Sequence, residues 1–72
     1  MSPNRYFSLH DANRAIELAP ADALAYLTRA IIYFQLGDVD RGQEDAAKAV
    51  AFADNEDMKA QFQQAIDAVS AP

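Results

Sequence analysis

The chain contains no cysteine and no tryptophan, and it has only two glycines and three prolines. Without cysteine it can form no disulfide, and it offers no thiolate for metal binding or redox chemistry. Alanine is the commonest of the apolar residues, which make up 51% of the chain. Such a composition is typical of helical proteins. A domain of 72 residues buries only about 60% of its unfolded surface, so its stability is expected to be marginal.

Basic residues are also scarce, since six Lys and Arg face eleven Asp and Glu, which gives a net charge of −5. Binding to nucleic acid or to an anionic membrane needs clustered basic side chains, so neither partner is expected. No apolar run approaches the roughly 20 residues of a membrane span, and no signal-peptide pattern is present at the N-terminus. We therefore expect a soluble cytoplasmic protein without a cofactor.

Two segments of the chain correspond to each other without a gap. Residues 8–20 match residues 42–54 at an offset of 34 residues, so that Asp11 falls on Asp45, Ala12 on Ala46, Ala15 on Ala49 and Ala19 on Ala53. A period of this length is typical of stacked helical repeats, which present binding surfaces and rarely catalyse reactions.

Helix-capping residues divide the chain into about four helices. Ser2-Pro3 predicts a first helix over residues 3–18, although Ser8 with Asp11 is a second possible start. Ala19-Pro20 ends that helix, because the residue before a proline disfavours the helical conformation.

The remaining boundaries follow from three aspartates and one glycine. Asp22 is the predicted N-cap of the second helix, and Gly37 supplies the left-handed residue that ends it. Asp38 begins a third helix that reaches about Ala53, and Asp54 caps a fourth over residues 55–69. Because the connections are short, neighbouring helices should pack antiparallel, which predicts an all-α fold.

The order of aromatic and small residues resembles the tetratricopeptide repeat. Tyr26-x-x-Arg29-Ala30-x-x-Tyr33 is followed by Gly37-Asp38 and then by Gly42-x-x-x-Ala46-x-x-Ala49, while residues 11–20 resemble the close of a preceding repeat. The resemblance implies an α-solenoid of antiparallel helix pairs. The residues expected to pack the repeats together are Ala12, Ala15, Pro20, Tyr26, Ala30, Tyr33, Gly37, Ala46 and Ala49.

Some positions depart from the family pattern. Arg29 stands where the family usually has leucine, and Gly42 stands where it usually has alanine, which should weaken the third helix by up to about 1 kcal/mol. Residues 1–72 would form one domain, with the second helix of a partial repeat over 3–18, a complete repeat over 23–54 and a capping helix over 55–69. Since such repeats usually need at least three copies, the chain is either part of a longer array or a homo-oligomer.

By the same resemblance, the first helix of each repeat lines a groove that receives partner peptides. The residues expected to line it are Leu24, Leu27, Thr28, Ile31, Phe34 and Gln35. Two interpretations of this apolar stripe stay open. It binds a protein or peptide partner, or it is covered by the last helix or by a second copy of the chain.

Catalytic patterns are weak. His10 is the one histidine and has no second histidine or cysteine near it in the sequence. The segment from Asp38 to Gly42 resembles a calcium loop only superficially, because Gln43 and Ala49 occupy positions that require glycine and glutamate. The sequence therefore predicts neither an enzyme nor a metal site. It predicts a protein-interaction module, with a self-association module as the alternative.

Overall fold

The computed structural model describes residues 8–70, and all of their regular structure is helical. Four helices follow one another: α1 (Leu9–Leu18), α2 (Ala23–Gln35), α3 (Val39–Phe52) and α4 (Glu56–Ser70). The predicted all-α class with about four helices is confirmed. None of these helices is both long and apolar enough to cross a membrane.

The first helix begins later than the predicted start at residue 3. Ser8 has an extended backbone, with φ −93° and ψ 168°, and its hydroxyl accepts a hydrogen bond of 3.1 Å from the Asp11 N–H. That geometry makes Ser8 the N-cap, so a helix running continuously through it is ruled out, and the second of the two possible starts is correct. The part of the prediction that concerns residues 3–7 lies outside the described residues.

The turn between α2 and α3 follows the predicted capping closely. Asp22 begins α2 by accepting hydrogen bonds from the Leu24 and Ala25 N–H groups. At the other end, Gly37 has a φ of 87°, and the Asp38 N–H donates to the Tyr33 carbonyl at 2.9 Å. This is the Schellman arrangement, in which glycine takes the left-handed conformation without strain.

The last helix is capped one residue later than predicted. Asn55 Oδ1, rather than the Asp54 carboxylate, accepts the hydrogen bond from the Met58 N–H at 2.9 Å. Asparagine and aspartate cap equally well, so the sequence does not distinguish between them. The helix continues to Ser70, one residue beyond the predicted end, and residues 71 and 72 lie outside the described part.

Helix α2 is the centre of the packing, because it contacts each of the other three helices. It runs antiparallel to α3: Tyr26 meets Phe52 with ring centroids 5.5 Å apart, while Phe34, a little over two turns later, lies against Gly42 near the start of α3. Helix α4 packs against both α2 and α3, and α1 packs against α2 alone among the helices.

The core combines small residues between α2 and α3 with larger ones supplied by α4. Ala30 and Ala49 are fully buried, which lets these two helices approach closely. The buried cluster consists of Ala23, Tyr26, Leu27, Ala30, Ala46, Ala49, Phe62 and Ile66. Burial of this surface supplies most of the stability of the fold.

Candidate protein-interaction surface

The six residues predicted to line one groove do not form one surface. Leu27 is only 8% exposed and belongs to the same buried cluster as Phe62 and Ile66 of α4. The expectation that Leu27 faces a partner is therefore wrong in this structure. The physical reason is that α4 packs on α2 and covers this part of its apolar stripe.

Ile31 and Phe34 are less exposed than Leu24, and Phe34 lines the third of the clefts described below. Both are half-buried and pack against the core cluster. The Phe34 ring lies so close to α3 that a Cβ atom built on Gly42 would meet it at 2.9 Å. Gln35, at the end of α2, is exposed but lines none of the clefts described below.

Leu24 and Thr28 are the two predicted groove residues that do line a common cleft. The cleft lies between α1 and α2, has a volume of about 250 Å³ and is lined by Ala15, Asp22, Leu24, Ala25 and Thr28. The Thr28 hydroxyl donates to the Leu24 carbonyl at 2.9 Å, so its polar group is satisfied within the helix and its methyl group can face the cleft. The Leu24 side chain itself is 58% exposed.

A second cleft adjoins the first at Leu24. It has a volume of about 400 Å³ and lies where α2 and α4 begin and α3 ends. Its lining residues are Ala21, Asp22, Ala23, Leu24, Phe52, Asp54 and Met58. Because Asp22 and Leu24 line both clefts, the two form one continuous surface, which we call the Leu24 surface. The sequence did not predict this surface, because Phe52 and Met58 come from helices other than α2.

A third cleft separates α3 from α4. It has a volume of about 520 Å³, and its walls mix apolar residues such as Val50 and Ile66 with polar ones such as Gln43 and Asp67. On α4, the Gln63 amide donates to Asp67 at 3.0 Å, so part of the polar wall is already satisfied internally. This cleft is larger than the other two, and Phe34 and Ala46 add to its apolar wall.

Arg29 connects three helices through hydrogen bonds. Its Nε and Nη2 atoms donate to the two carboxylate oxygens of Asp45 on α3 at 2.7 and 2.9 Å, and its Nη1 donates to Asn13 on α1 at 3.0 Å. The Asp45 side chain is 4% exposed and that of Arg29 is 20% exposed. The hydrogen bond to Asp45, together with its charge, raises the pKa of the Arg29 guanidinium, so Arg29 stays charged at all physiological pH values.

The two predicted packing tyrosines lie beside Arg29 and face α3. The guanidinium carbon of Arg29 lies 5.7 Å from the Tyr26 ring centroid and 6.0 Å from that of Tyr33. On the α3 side, Lys48 lies over Tyr26 and Arg41 lies over Tyr33. The sequence singled out Arg29 as a departure from the family pattern. It did not indicate that Arg29 contacts Asp45. The sequence showed only that Asp45 corresponds to Asp11 at the offset of 34 residues.

The other residues predicted to pack the repeats differ in burial. Ala12 is fully buried and Ala46 is 6% exposed, whereas Ala15 and Tyr33 are half-buried. Pro20 is exposed in the turn between α1 and α2, where it limits the helix but packs little surface.

Metal-ligating side chains are not clustered in the described part of the chain. Across residues 8–70, no group of three or more His, Asp or Glu side chains is placed to hold a metal ion. His10 is exposed on α1. Comparisons with protein-family models, with curated proteins and with solved structures returned no match to this chain.

Proposed function

We propose that this protein is a protein–protein interaction module of the tetratricopeptide type, which holds a partner segment on the Leu24 surface. The observation that carries the proposal is the exposure of Leu24, at 58%, between two adjoining clefts. Phe52, at 41% exposure, adds a large apolar side chain to the same surface. Large apolar side chains beside a cleft are typical anchors for a partner segment.

The Arg29 network supports the proposal because it keeps the first cleft in shape. One wall of that cleft is α1, which packs on α2 alone among the helices. The 3.0 Å hydrogen bond from Arg29 to Asn13 holds α1 beside α2. Arg29 is itself held by its two bonds to Asp45. A cleft formed in advance lowers the entropy cost of binding.

The packing order supports the assignment to tetratricopeptide-like repeats. Helix α4 lies against both members of the α2/α3 pair, as the first helix of a following repeat would. The offset of 34 residues between the α1 and α3 segments agrees with the same arrangement. The alternative proposal, self-association, draws on the same exposed Leu24 and Phe52, which a second copy could cover.

Site-specific photo-cross-linking tests the function. A photoreactive phenylalanine derivative is placed at position 24 in one variant and at position 36 in another, in cells that produce the protein. Leu36 is the matched control, because it is 67% exposed but lies at the opposite end of α2. We expect a discrete cross-linked protein from position 24 and none from position 36.

Two results of the cross-linking experiment would refute the proposed function. Equal cross-linking from both positions, or none from position 24, would show that the Leu24 surface has no dedicated occupant. A cross-linked product of twice the chain mass would favour self-association instead. Circular dichroism of each purified variant controls for loss of the helical fold.

A further inference from the structure

We propose that the Leu24 surface selects a positively charged amphipathic partner segment, in which Lys or Arg side chains flank large apolar anchors. This inference rests on the proposed function and adds the chemistry of the partner to it. It follows from the juxtaposition of the exposed apolar side chains of Leu24 and Phe52 with the carboxylates of Asp22 and Asp54.

The apolar part of the surface has room for two anchors. Leu24 lies at the boundary between the cleft of about 250 Å³ and the cleft of about 400 Å³. The first has Ala15 and Thr28 in its wall, and the second has Phe52 and the half-buried Met58. A helical segment presents apolar side chains at intervals of three or four residues, so successive anchors can enter adjoining clefts.

The described charged residues of the surface have one sign. Among residues 8–70, Asp22 and Asp54 are the charged residues that line the two clefts. Both are exposed, and Asp54 is free of a capping role because Asn55 takes it. Opposite charges at the rim of an interface steer the partner and raise the association rate.

The basic residues of the described region are not among those that line the two clefts. Arg29, Arg41 and Lys48 line a separate polar cleft between α2 and α3. Lys59 pairs with Glu56 at 3.6 Å, and Arg14 on α1 lines neither part of the Leu24 surface. An acidic partner would therefore meet repulsion at Asp22 and Asp54, and no described residue that lines the two clefts carries a positive charge.

The same charges disfavour a second copy of the chain. In a two-fold symmetric contact through the Leu24 surface, the carboxylates of Asp22 and Asp54 would approach those of the other copy. Each copy also carries a net charge of −5, which adds repulsion at longer range. A basic partner would avoid both the contact between carboxylates and the long-range repulsion. We therefore infer a basic partner segment as the occupant of this surface.

The test uses three fluorescent synthetic peptides and the full chain. Each peptide is about 18 residues long, above the length at which isolated helices are marginal. The first has leucines at helical spacing with lysines on the other face. The second replaces every lysine with glutamate, and the third scrambles the first so that the apolar face is lost. Binding is measured by fluorescence anisotropy at about 50 and 300 mM NaCl, because salt screens exposed charges over this range.

We expect the lysine peptide to bind at least about tenfold more tightly than either of the others, and about fivefold more weakly at the higher salt concentration. Leu24→Ser should weaken binding of the lysine peptide by about tenfold through loss of the apolar contact, whereas the control Leu36→Ser should change it less than about twofold. The double variant Asp22→Asn/Asp54→Asn should weaken binding of the lysine peptide by about fivefold, since asparagine keeps the α2 cap while removing the charge. Asp40→Asn, which removes an exposed carboxylate at the start of α3, should change it less than about twofold.

Several results would overturn the inference. Equal binding of the lysine and glutamate peptides, binding of neither above the scrambled peptide, or no effect of Asp22→Asn/Asp54→Asn would each show that the rim charges do not select the partner. A dimer in sedimentation equilibrium that Leu24→Ser dissociates would assign the surface to a second copy. If cross-linking from position 24 persists while the peptides show no charge preference, the inference fails and the proposed function stands.

Discussion

Replacing Arg29 with leucine should destabilise the protein by about 3 kcal/mol. The substitution leaves the Asp45 carboxylate without the two hydrogen bonds of 2.7 and 2.9 Å that it accepts from Arg29. Because the Asp45 side chain is 4% exposed, water cannot replace them fully. The variant therefore retains a buried charge with no partner.

The size of the effect follows from the burial of the two partners. Removing one member of a buried ion pair costs about 3–5 kcal/mol, and the 20% exposure of Arg29 places this pair at the lower end. A chain of 72 residues is expected to have a free energy of unfolding of roughly 4–11 kcal/mol. A loss of about 3 kcal/mol should lower Tm by about 12–24 °C.

Replacing Asp45, the other member of the pair, should destabilise the protein less. Asp45→Asn leaves the charge of Arg29 uncompensated, but that side chain already reaches solvent, so we expect a loss of about 1–2 kcal/mol. The double variant Arg29→Leu/Asp45→Asn removes both charges and should lie within about 2 kcal/mol of the wild type. It should therefore be more stable than Arg29→Leu alone.

Urea denaturation followed by far-UV circular dichroism measures these free energies. Arg41→Leu is the control, because Arg41 is 67% exposed, its contact with Asp38 is 3.4 Å long, and its loss should cost less than about 0.5 kcal/mol. The reasoning would be refuted if Arg29→Leu cost less than Asp45→Asn. Additive effects in the double variant would refute it as well, because the pair would then be uncoupled.

Two further substitutions test the packing and the capping. Gly42→Ala should destabilise the protein by about 1 kcal/mol because its Cβ would meet the Phe34 ring at 2.9 Å. In a Phe34→Ala background the same change should stabilise the protein by about 1 kcal/mol, because alanine has the higher helix propensity. If Gly42→Ala also destabilises the protein in that background, contact with Phe34 is not the cause. Asn55→Ala should destabilise the protein by about 1 kcal/mol and Asp54→Ala by almost nothing, because Asn55 caps α4. Thermal unfolding measures both effects, and the reverse order would show that Asp54 is the cap.

The helices could be predicted from the sequence because their signals are local. Asp22, Gly37 and Asp38 each act on backbone groups within a few residues, and each ends or begins a helix as predicted. Where two local signals competed, the prediction took the other one. Ser8 is the N-cap of α1 although Pro3 also signalled a start, and Asn55 rather than Asp54 caps α4.

The candidate site could be predicted only in part. Leu24 and Thr28 share a cleft because they are one turn apart on the same face of α2, which periodicity shows. Leu27 belongs to the same stripe, but its burial depends on Phe62 and Ile66, which lie far along the chain. Periodicity identifies an apolar face and carries no information about which helix covers it.

The sequence by itself therefore determined the helical class, the number of helices and most of their ends, since capping and helix propensity act over one turn of the chain. Tertiary structure decided the rest. Arg29 and Asp45, sixteen residues apart, form a buried pair only because α2 and α3 pack antiparallel, and the same packing brings Phe34 over Gly42. Leu24 is 58% exposed, whereas Leu27 on the same helix is buried in one cluster with Phe62 and Ile66 of α4. Contacts between distant segments depend on the packing of whole helices, which no local pattern records.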